Sequence, residues 1–400
     1  MKKTLPAIIG LGYVGLPIFL RLRNKFSSVG FDINSKRIEQ LKNYQDQNKE
    51  FNSIQLKIKK SSLYTSNVED LKKCNFFIVT VPTPIYSNKK PDLRPLHKAC
   101  HILKKVVNDG DIVFFESTVF PGLTRTLKQK FFKKKKIWLG YSPERINPGD
   151  KVNTVKSIKK IVSYDECPKI IKNKIQQVYK TISNNIVITN SIENAEMSKV
   201  IENIQRDINI AFMNEIFMLC KKLNLNFLEV IKLARTKWNF LNFSPGLVGG
   251  HCLPIDPFYL YYLAKKKNYN AQFMLAGRKV NDEIGNFVKT EIENEIKQKN
   301  LKKILILGLS YKANVSDLRN SLALQIYLIL KKKYKDNLHA FDPVIDSSNS
   351  KKFKTIKKIN KINSYDLIIP LINHKVFKKK FYKDYKKNKS RYFDLFNFFG

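Results

Sequence analysis

Two patterns of apolar and polar positions alternate along the first half of the chain. Short β-rich apolar runs end in Gly, Asp, Pro, Ser or Thr, and stretches with helical spacing of apolar residues separate several of them. The runs are PAIIGLG, SSVGFDIN, FFIVTVPTP, GDIVFFEST and KIWLGYSPE, and the helical stretches include RIEQLKNYQ and LHKACHILKKVVN. Because strands that alternate with helices form parallel, doubly wound sheets, we predict an α/β domain over residues 1–190.

A helical pattern replaces this alternation near Ile192. The stretch SIENAEMSKVIENIQRDINIAFMNEIFMLCKKL contains neither Gly nor Pro and repeats apolar residues at helical spacing, which predicts a central domain of long helices over residues 191–300. The runs KKILILGLSYK, DNLHAFDP and YDLIIPLI then return to the strand and helix style. We therefore predict an α/β protein with two Rossmann-like doubly wound domains, the second over residues 301–400, joined by the long-helix central domain.

A glycine-rich turn follows the first predicted strand. Gly10, Gly12 and Gly15 fit the pattern G-x-G-x-x-G, and Asp32 ends the next predicted strand. Glycines at these positions allow a tight turn and a close approach of the backbone to a pyrophosphate at the helix N-terminus. A carboxylate at Asp32 accepts hydrogen bonds from the adenosine ribose and repels a 2′-phosphate. The sequence thus predicts a site for NAD, with an ordinary strand-to-helix turn as the alternative.

The net charge of +41 has to be weighed against its distribution. The lysines are spread along the whole chain instead of lying on one segment, which argues against a specific nucleic-acid site. Such a field still attracts anionic ligands, including nucleotides, with a strength that falls as the salt concentration rises. We therefore predict no nucleic-acid partner.

The N-terminal run MKKTLPAIIGLGYVGLPIFLRLR has the basic start and apolar core of a signal peptide. It lacks a small-residue cleavage site, however, and glycines interrupt it at fixed spacing. No other apolar run approaches the ~20 residues that span a bilayer. We therefore expect neither a signal peptide nor a membrane segment.

The five cysteines are scattered and show neither a C-x-x-C pair nor a Cys/His cluster at zinc-ligand spacing. We therefore expect no metal site. An odd and sparse set of cysteines is typical of reduced thiols in a reducing compartment, which predicts a cytoplasmic protein.

The stretch LVGGHCLPIDP places Cys252 behind the glycine pair Gly249 and Gly250. Its cysteine is a disulfide partner, a metal ligand, a buried structural thiol or a nucleophile. The compartment argues against a disulfide, and the lack of partner ligands argues against a metal. Tandem glycines serve where the backbone bends sharply or approaches a ligand closely. Pro254 and Asp256 predict a helix start after the thiol, which favours the thiolate. The structural thiol and the nucleophile both remain open.

Lys199, Asn203 and Arg206 lie at positions i, i+4 and i+7 of the predicted long helix, so that one face presents two cations and an amide. A solvated polar face is the usual interpretation of such a stripe. Apolar residues flank Lys199 closely, which predicts that part of the stripe is buried. A half-buried lysine beside a thiol stabilises an oxyanion or moves a proton. With NAD, a cysteine nucleophile oxidises an aldehyde to an acid through a thioester.

Further motifs indicate which family the chain resembles. In chain order they are GLGYVGLP, VPTP, ESTVFPG, SPERINPGD, ENIQRDINIAFMNE, TKWNF, SPGLVGGHCLPIDPFYL, GRKVND and LGLSYKANVSDLRNS. Together they span nearly the whole chain and resemble the UDP-glucose/GDP-mannose dehydrogenase family of nucleotide-sugar 6-dehydrogenases. The versions SPERINPGD, ENIQRDIN and TKWNF are most similar to the UDP-N-acetyl-D-hexosamine branch, which feeds capsule or O-antigen synthesis.

The resemblance implies an NAD-dependent four-electron oxidation of the C6 alcohol of a UDP-sugar to the uronate. Two hydrides leave in turn, and Cys252 forms a thiohemiacetal with the aldehyde and then a thioester, which water hydrolyses. Lys199 polarises or protonates at C6, and Asn203 holds the developing oxyanion. Asp256 positions water or relays protons, and Glu144 assists hydrolysis.

The resemblance also implies two sets of binding residues and a partner. The cofactor set comprises Gly10, Gly12, Tyr13, Val14, Gly15, Asp32, Arg37, Thr83, Thr118 and Arg319. The substrate set comprises Arg145, Ile146, Lys199, Asn203, Arg206, Gly249, Tyr311 and Lys312. The implied assembly is a homodimer that pairs through the long central helix.

The C-terminal end departs from the family. Relatives often carry a basic residue two positions after the aspartate that ends the last strand, whereas here Leu395 and Phe396 follow Asp394. A phosphate contact from this end is therefore not implied. Trp238 of TKWNF is either a sugar contact or a core aromatic residue.

Two other functions stay open at this level. A 3-hydroxyacid or 6-phosphogluconate type of dehydrogenase shares the α/β-plus-helices plan and a lysine–asparagine helix, but it transfers one hydride and needs no cysteine. A basic module that binds nucleic acid or an anionic surface leaves the stretch GGHCLPID unexplained. Among UDP-sugars, the sequence leaves UDP-GlcNAc, UDP-GalNAc, UDP-ManNAc and UDP-glucose open.

Overall fold

The computed structural model describes residues 3–48, 50–57, 61–147, 149–150, 152–348, 350, 352–359 and 361–400. It divides into two compact units. The first comprises residues 1–202 with 258–269, and the second comprises residues 203–257 with 270–400. The domain boundaries near residues 190 and 300 stay a prediction, because this division separates the central segment into parts of both units.

The described residues of the first unit form an eight-stranded sheet. Its strands are β1 (Pro6–Ile9), β2 (Val29–Phe31), β3 (Leu63–Thr65), β4 (Phe76–Val79), β5 (Ile112–Phe115), β6 (Trp138–Tyr141), β7 (Lys159–Tyr164) and β8 (Asn185–Thr189). Their order is β3-β2-β1-β4-β5-β6-β7-β8. The runs predicted as strands correspond to β1, β2, β4, β5 and β6, which confirms the α/β sheet; β3, β7 and β8 were not predicted.

One pair of the described strands departs from the predicted parallel sheet. β6 and β7 are antiparallel, whereas the other neighbours in this sheet are parallel. A parallel neighbour requires a crossover, usually a helix. No helix occurs among the described residues between β6 and β7, so the chain returns in the opposite direction.

Each of the following helices of the first unit contributes at least one buried apolar side chain. They are α1 (Gly15–Leu22), α2 (Ser35–Lys42), α3 (Ser53–Leu56), α4 (Arg94–Val106), α5 (Leu123–Phe132) and α6 (Lys169–Ile182). In α4 the buried residues Leu96, Leu103 and Val106 recur at helical spacing. Phe76 and Phe114 stack on the sheet with ring centroids 5.7 Å apart, which places aromatic side chains in the centre of this core.

The second unit contains a smaller sheet and most of the long helices. Its described strands β9 (Ile304–Leu307), β10 (Leu338–Phe341) and β11 (Leu367–Pro370) pair in parallel in the order β10-β9-β11. The predicted runs correspond to these three strands. The helices α10 (Gln272–Gln298), α11 (Leu322–Tyr334) and α12 (Lys375–Lys387) complete this part, and Ile284, Val288 and Ile292 of α10 share one core with β9.

The predicted long helix is α7 (Ile192–Lys222), with 31 residues. It is followed by α8 (Phe227–Ala234) and α9 (Asp256–Lys266). Both α7 and α9 contribute residues to each unit. No helix among the described residues is long and apolar enough to cross a membrane.

Candidate active site

The glycine-rich turn after β1 depends on two of its three glycines for packing. A Cβ on Gly15 would lie 1.8 Å from the carbonyl oxygen of Gly10, and Gly10 itself has a φ of +98°. Around Gly12, by contrast, no described heavy atom lies within 4 Å of the place of a Cβ. Gly10 and Gly15 therefore close the turn, while Gly12 leaves open the side on which a ligand would approach the backbone.

Asp32 stands at the end of β2, where both of its carboxylate oxygens are held by backbone amides. Oδ2 accepts from the Leu11 N–H at 2.8 Å and Oδ1 accepts from the Asn34 N–H at 2.9 Å. A cavity of about 390 Å³ borders Asp32, Gly10 and Phe31. Each carboxylate oxygen has further lone pairs, so the group fits a ribose diol. The open glycine and the fixed carboxylate together fit the adenosine and pyrophosphate end of NAD.

The remaining residues of the predicted cofactor set differ in their surroundings. Arg37 is buried; its Nε donates to the Leu11 carbonyl and its guanidinium pairs with Asp46 at 2.9 Å. It therefore supports the glycine turn from behind. Thr83 and Thr118 are partly exposed in the first unit, next to β4 and β5. Tyr13 and Val14 lie in the turn itself and are partly exposed as well.

Glu144 follows β6 and is held on both oxygens. Oε1 accepts from the N–H groups of Arg145 and Ile146, each at 2.6 Å, and Oε2 lies 2.7 Å from Nζ of Lys160. The Arg145 guanidinium pairs with Glu202 at 2.6 Å. An ionised carboxylate with this many donors is fixed in position, which suits a group that must orient water.

The glycine pair before Cys252 is required by close packing within the second unit. A Cβ on Gly249 would lie 2.6 Å from the Asn320 carbonyl oxygen, and one on Gly250 would lie 2.7 Å from the Tyr311 ring. The Gly250 N–H donates to the Arg319 carbonyl at 2.9 Å, and the Asn320 amide donates to the Gly250 carbonyl at 2.8 Å. The cysteine loop is therefore interlocked with the segment 311–320, which carries predicted substrate residues.

Cys252 is partly exposed and lies four positions before the start of α9 at Asp256. Its carbonyl oxygen accepts from the N–H groups of Ile255 and Asp256, which form the turn that leads into the helix. Cys74 and Cys100 are buried instead, and burial raises the pKa of their thiols to about 12. Those thiols stay protonated and pack in the core, whereas the placement of Cys252 fits a nucleophile.

The polar stripe on α7 is buried in part, as the apolar residues around Lys199 predict. Lys199 and Asn203 are buried, whereas Arg206 is exposed. The Asn203 amide donates to the Asp256 carboxylate at 2.5 Å, and Asp256 is itself buried. Asn203 and Asp256 are therefore brought together beside the cysteine turn in the second unit.

A buried network supports the segment that carries Tyr311 and Lys312. His374 Nδ1 accepts from the Asn314 N–H at 3.1 Å, so its Nε2 bears the proton and faces Ser310 Oγ at 3.1 Å and Asp342 Oδ2 at 3.3 Å. Asp342 in turn accepts from the Ser310 N–H at 2.9 Å. This network fixes both ends of the segment, and no motif in the sequence pointed to His374.

Two further predictions concern aromatic residues. Phe396 packs against Phe217 with ring centroids 5.5 Å apart, which agrees with the apolar position that replaces the relatives' basic residue. Trp238 is 92% exposed, so the interpretation as a core aromatic residue is wrong for this chain.

Three sequence models of one family match this chain. The NAD binding domain of the UDP-glucose/GDP-mannose dehydrogenase family matches residues 5–183, its central domain residues 193–283 and its UDP binding domain residues 305–400. The chain belongs to the UDP-glucose/GDP-mannose dehydrogenase family. It is an NAD-dependent UDP-sugar dehydrogenase, which confirms the predicted cofactor and the resemblance.

Relatives of this dehydrogenase cover almost its full length. The UDP-N-acetyl-D-glucosamine 6-dehydrogenase of Salmonella typhi is 40% identical over 97% of this chain and 95% of its own. The enzyme of the same name from Pseudomonas aeruginosa is 40% identical over 94% and 92%. Among solved structures, a UDP-D-ManNAc dehydrogenase from Pyrococcus horikoshii has a TM-score of 0.83 and 28% identity, covering 98% of this chain and 93% of its own.

The predicted site residues of this UDP-sugar dehydrogenase divide between the two units. The first unit holds the predicted cofactor residues except Arg319, together with Glu144, Arg145, Ile146 and Lys199. The second unit holds the other predicted residues, among them Asn203, Cys252 and Asp256. Sequence reasoning missed Glu116 and Lys160, which contact each other beside Glu144. The lysine stands in the run KKIVSY, where nothing distinguishes it from the many surface lysines of this chain.

Proposed function

We propose that this dehydrogenase oxidises the C6 hydroxyl of a UDP-N-acetylhexosamine, UDP-GlcNAc in the first place, to the uronic acid. The relatives from Salmonella typhi and Pseudomonas aeruginosa, each 40% identical and named for UDP-GlcNAc, support this choice of substrate. We further propose that the reaction takes place in the cytoplasm and that its product serves the synthesis of a surface polysaccharide. UDP-ManNAc is the second candidate, because the Pyrococcus horikoshii structure with that name has a very similar fold.

The observation that carries the proposal is the setting of Cys252. A partly exposed thiol, a glycine pair packed against the segment 311–320, and the buried pair of Asn203 and Asp256 all meet in one unit. We propose that Sγ of Cys252 attacks the C6 aldehyde to give a thiohemiacetal. Loss of a hydride from that carbon gives a thioester, and hydrolysis of the thioester gives the uronate. NAD, when bound, accepts the hydride of each oxidation.

Asn203, Asp256 and Lys199 act on the oxygen at C6 in this proposal. A primary amide has two N–H groups, and since one of Asn203 donates to Asp256, we assign the second to the developing oxyanion. The same bond fixes the Asp256 carboxylate, which we assign to positioning water or relaying protons. Lys199, buried on the same helix face, polarises or protonates the oxygen at C6.

We assign binding of the sugar nucleotide to residues from several separate segments of the chain. Lys312 and Arg206 are the cations that we assign to the diphosphate, because ammonium and guanidinium groups both bind phosphate oxygens strongly. Tyr311 and the backbone at Gly249 lie in mutual contact, so that a ligand on one would meet the other. Arg145 and Ile146 complete the proposed substrate set beside Glu144.

We also propose that the enzyme works as a homodimer that pairs through α7. Phe212 and Leu219 lie on one face of α7 and are largely exposed, as is Leu223 directly after its end. Leu228 and Leu233 of α8 are exposed as well. Contiguous exposed apolar side chains of this size are typical of protein interfaces. A second copy of the chain covers them in this proposal.

The stoichiometry of NADH tests the proposed reaction. Incubation of the pure protein with NAD and each UDP-sugar should release two NADH per molecule of UDP-GlcNAc, together with the uronate. In Cys252→Ser the second oxidation should stall, because a serine hydroxyl is a weaker nucleophile than a thiolate. Any ester that forms should also be hydrolysed slowly, because an alkoxide is a poorer leaving group than a thiolate. Absorbance of NADH and mass spectrometry of the sugar product measure both effects.

A matched control for this test is Cys167→Ser, which removes a buried thiol instead. It should retain two NADH per sugar. One NADH per substrate with a fully active Cys252→Ala variant would instead favour a single-hydride dehydrogenase. Salt-sensitive binding of polyanions without any NADH would favour a basic binding module.

A further inference from the structure

Lys160 of β7 lies between two buried carboxylates of the first unit. Its Nζ is 2.5 Å from Oε2 of Glu116 and 2.7 Å from Oε2 of Glu144. The Tyr179 hydroxyl donates to the other oxygen of Glu116 at 3.0 Å. Of these four described residues, Glu144 has the most exposed side chain, at 6%. The side chains of Lys160 and Glu116 are completely buried. A chain of hydrogen bonds therefore runs from Glu144 through Lys160 to the enclosed Glu116.

The charges of this cluster do not balance when both carboxyl groups are ionised. Burial raises the pKa of Glu116 to about 7, and the Glu144 charge adds to this while Lys160 and Tyr179 act against it. Burial lowers the pKa of Lys160, but the two carboxylates outweigh burial and raise it, so this group stays an ammonium. Burial also raises the pKa of Tyr179, which stays a donor. The cluster therefore takes up one further proton, on Glu116, near neutral pH.

Resting on the proposed function, we infer that Lys160 and Glu116 give Glu144 an internal proton acceptor during hydrolysis of the thioester. Both act through Glu144 and are positioning residues in this reaction. Because the side chain of Glu116 is enclosed, the hydrogen-bonded route to it within the described residues passes through Lys160. Removing the proton from Glu144 keeps that carboxylate ionised and prevents return of the proton to the oxygen that has attacked the acyl carbon.

Each hydrolysis transfers one net proton from the attacking water to Glu116. The oxygen of water forms a bond to the acyl carbon, the bond from that carbon to Sγ of Cys252 breaks, and the sulfur leaves as a thiolate. One proton of the water passes to Glu144. Glu144 then gives a proton to Lys160 while Lys160 gives a different one to Glu116, so that Lys160 remains a cation throughout. The proton leaves Glu116 by the same route in reverse after the uronic acid has departed.

The variant Glu116→Gln tests the relay because it keeps the shape of the side chain and removes the proton acceptor. Intact-protein mass spectrometry of acid-quenched turnover measures the fraction of enzyme that carries the Cys252 thioester. In the wild type, thioester should accumulate as the pH falls below about 7, since Glu116 is then already protonated. In Glu116→Gln, hydrolysis at pH 8 should be about tenfold slower and should no longer change across this range.

Tyr179→Phe supplies a second variant whose effect has a defined sign. The Tyr179 hydroxyl stabilises the ionised form of Glu116, so its loss should raise the pKa of Glu116 and move the pH profile of hydrolysis upward. A merely structural loss would slow the reaction without moving the profile. Glu196→Gln is the matched control, because Glu196 is also buried with a raised pKa but hydrogen-bonds to the backbone at Gly122 and Thr124. It should leave the profile in place.

Infrared spectroscopy of the full chain tests the acceptor without turnover. In the spectrum of the wild type minus that of Glu116→Gln, the carbonyl band of a protonated carboxyl group should grow as the pH falls through about 7. The subtraction removes the bands of other buried carboxyl groups, such as Asp207, whose pKa burial raises to about 6. A difference spectrum without this band, or a pH profile of hydrolysis that is identical in both proteins, overturns the relay. A wild type that forms no NADH from any UDP-sugar contradicts the proposed function, and the infrared titration then still decides whether Glu116 is the acceptor.

Discussion

Gly249 shows how a single residue links the cysteine loop to its support. A Cβ at this position would meet the Asn320 carbonyl oxygen at 2.6 Å and Cβ of Tyr311 at 2.9 Å. Real side chains do not tolerate such contacts, and backbone atoms cannot yield as a flexible side chain would. Glycine is therefore required at this position because the neighbouring segment packs so closely, and not because of the backbone conformation of Gly249 itself.

We expect Gly249→Ala to displace Cys252 and to lower kcat for the UDP-sugar by about 100-fold, since small misplacements of reacting groups have effects of that size. Binding of NAD should change much less than kcat, because the glycine turn and Asp32 lie in the first unit and, of the predicted cofactor set, only Arg319 lies in the segment that packs on Gly249. Gly246→Ala is the matched control, since no described atom lies within 4 Å of its Cβ position. Steady-state kinetics and calorimetric titration of NAD measure the two properties. Equal kcat values for both variants would show that the packing at Gly249 is not needed.

Local spacing was enough to predict several of these residues, but not all of them. Gly10, Gly15 and Asp32 follow from a fixed pattern around one strand and one turn, because the ligand contacts backbone at set distances along the chain. Glu116 and Lys160 are 44 positions apart and meet only through the order of β5, β6 and β7. A buried lysine has no local signal that separates it from a solvated one.

Among the helices, α7 and α10 are joined by a buried ion pair. The Arg278 guanidinium contacts the Asp207 carboxylate, and both side chains are almost completely enclosed. Asn281 donates to the same carboxylate at 2.8 Å. Burial raises the pKa of Asp207 to about 6, and Arg278 acts against that rise.

We expect Arg278→Met to destabilise the protein by about 3 kcal/mol, because it leaves a buried carboxylate without its counter-ion. The loss should be larger at pH 8 than at pH 5: a carboxyl group with a raised pKa stabilises the fold while protonated and loses that contribution as the pH rises. Urea unfolding at both pH values measures the effect. Lys279→Ala, at a side chain 77% exposed in a long ion pair, should change stability by less than about 0.5 kcal/mol. A loss independent of pH would exclude Asp207 as its cause.

Helices and strands were predicted correctly where one periodicity of apolar residues continued over the whole element. The long helix α7 and the strands with continuous apolar runs follow from periodicity, since α7 keeps helical spacing over 31 residues. The strands β7 and β8 were missed because they begin with lysine or asparagine and their apolar runs are short, and β8 is partly exposed at the edge of its sheet. Their place in the sheet is set by pairing with distant strands, which a local pattern does not contain.

For the whole molecule, the proposed homodimer predicts a change in assembly. Phe212→Glu with Leu219→Glu places charges where two apolar side chains are 53% and 47% exposed, and it should convert the dimer to a monomer. Analytical ultracentrifugation measures the mass. Ile54→Glu, at an apolar residue 74% exposed in the first unit, is the control and should leave the mass unchanged. A wild type that sediments as a monomer would contradict the dimer directly.

The reversed direction of β7 has a consequence for the chemistry of the first unit. The register pairs Gly140 with Tyr164 and Tyr141 with Ser163, so each step forward beyond β6 is a step back along β7, and position 144 comes level with position 160. A lysine from the beginning of one strand thereby joins carboxylates that follow the ends of two others. A shift of this pair by one residue would set Ile161 opposite Glu144 and turn the ammonium group to the far face. The register of the β6 and β7 pair thus decides whether the buried carboxylates of Glu116 and Glu144 have a counter-ion.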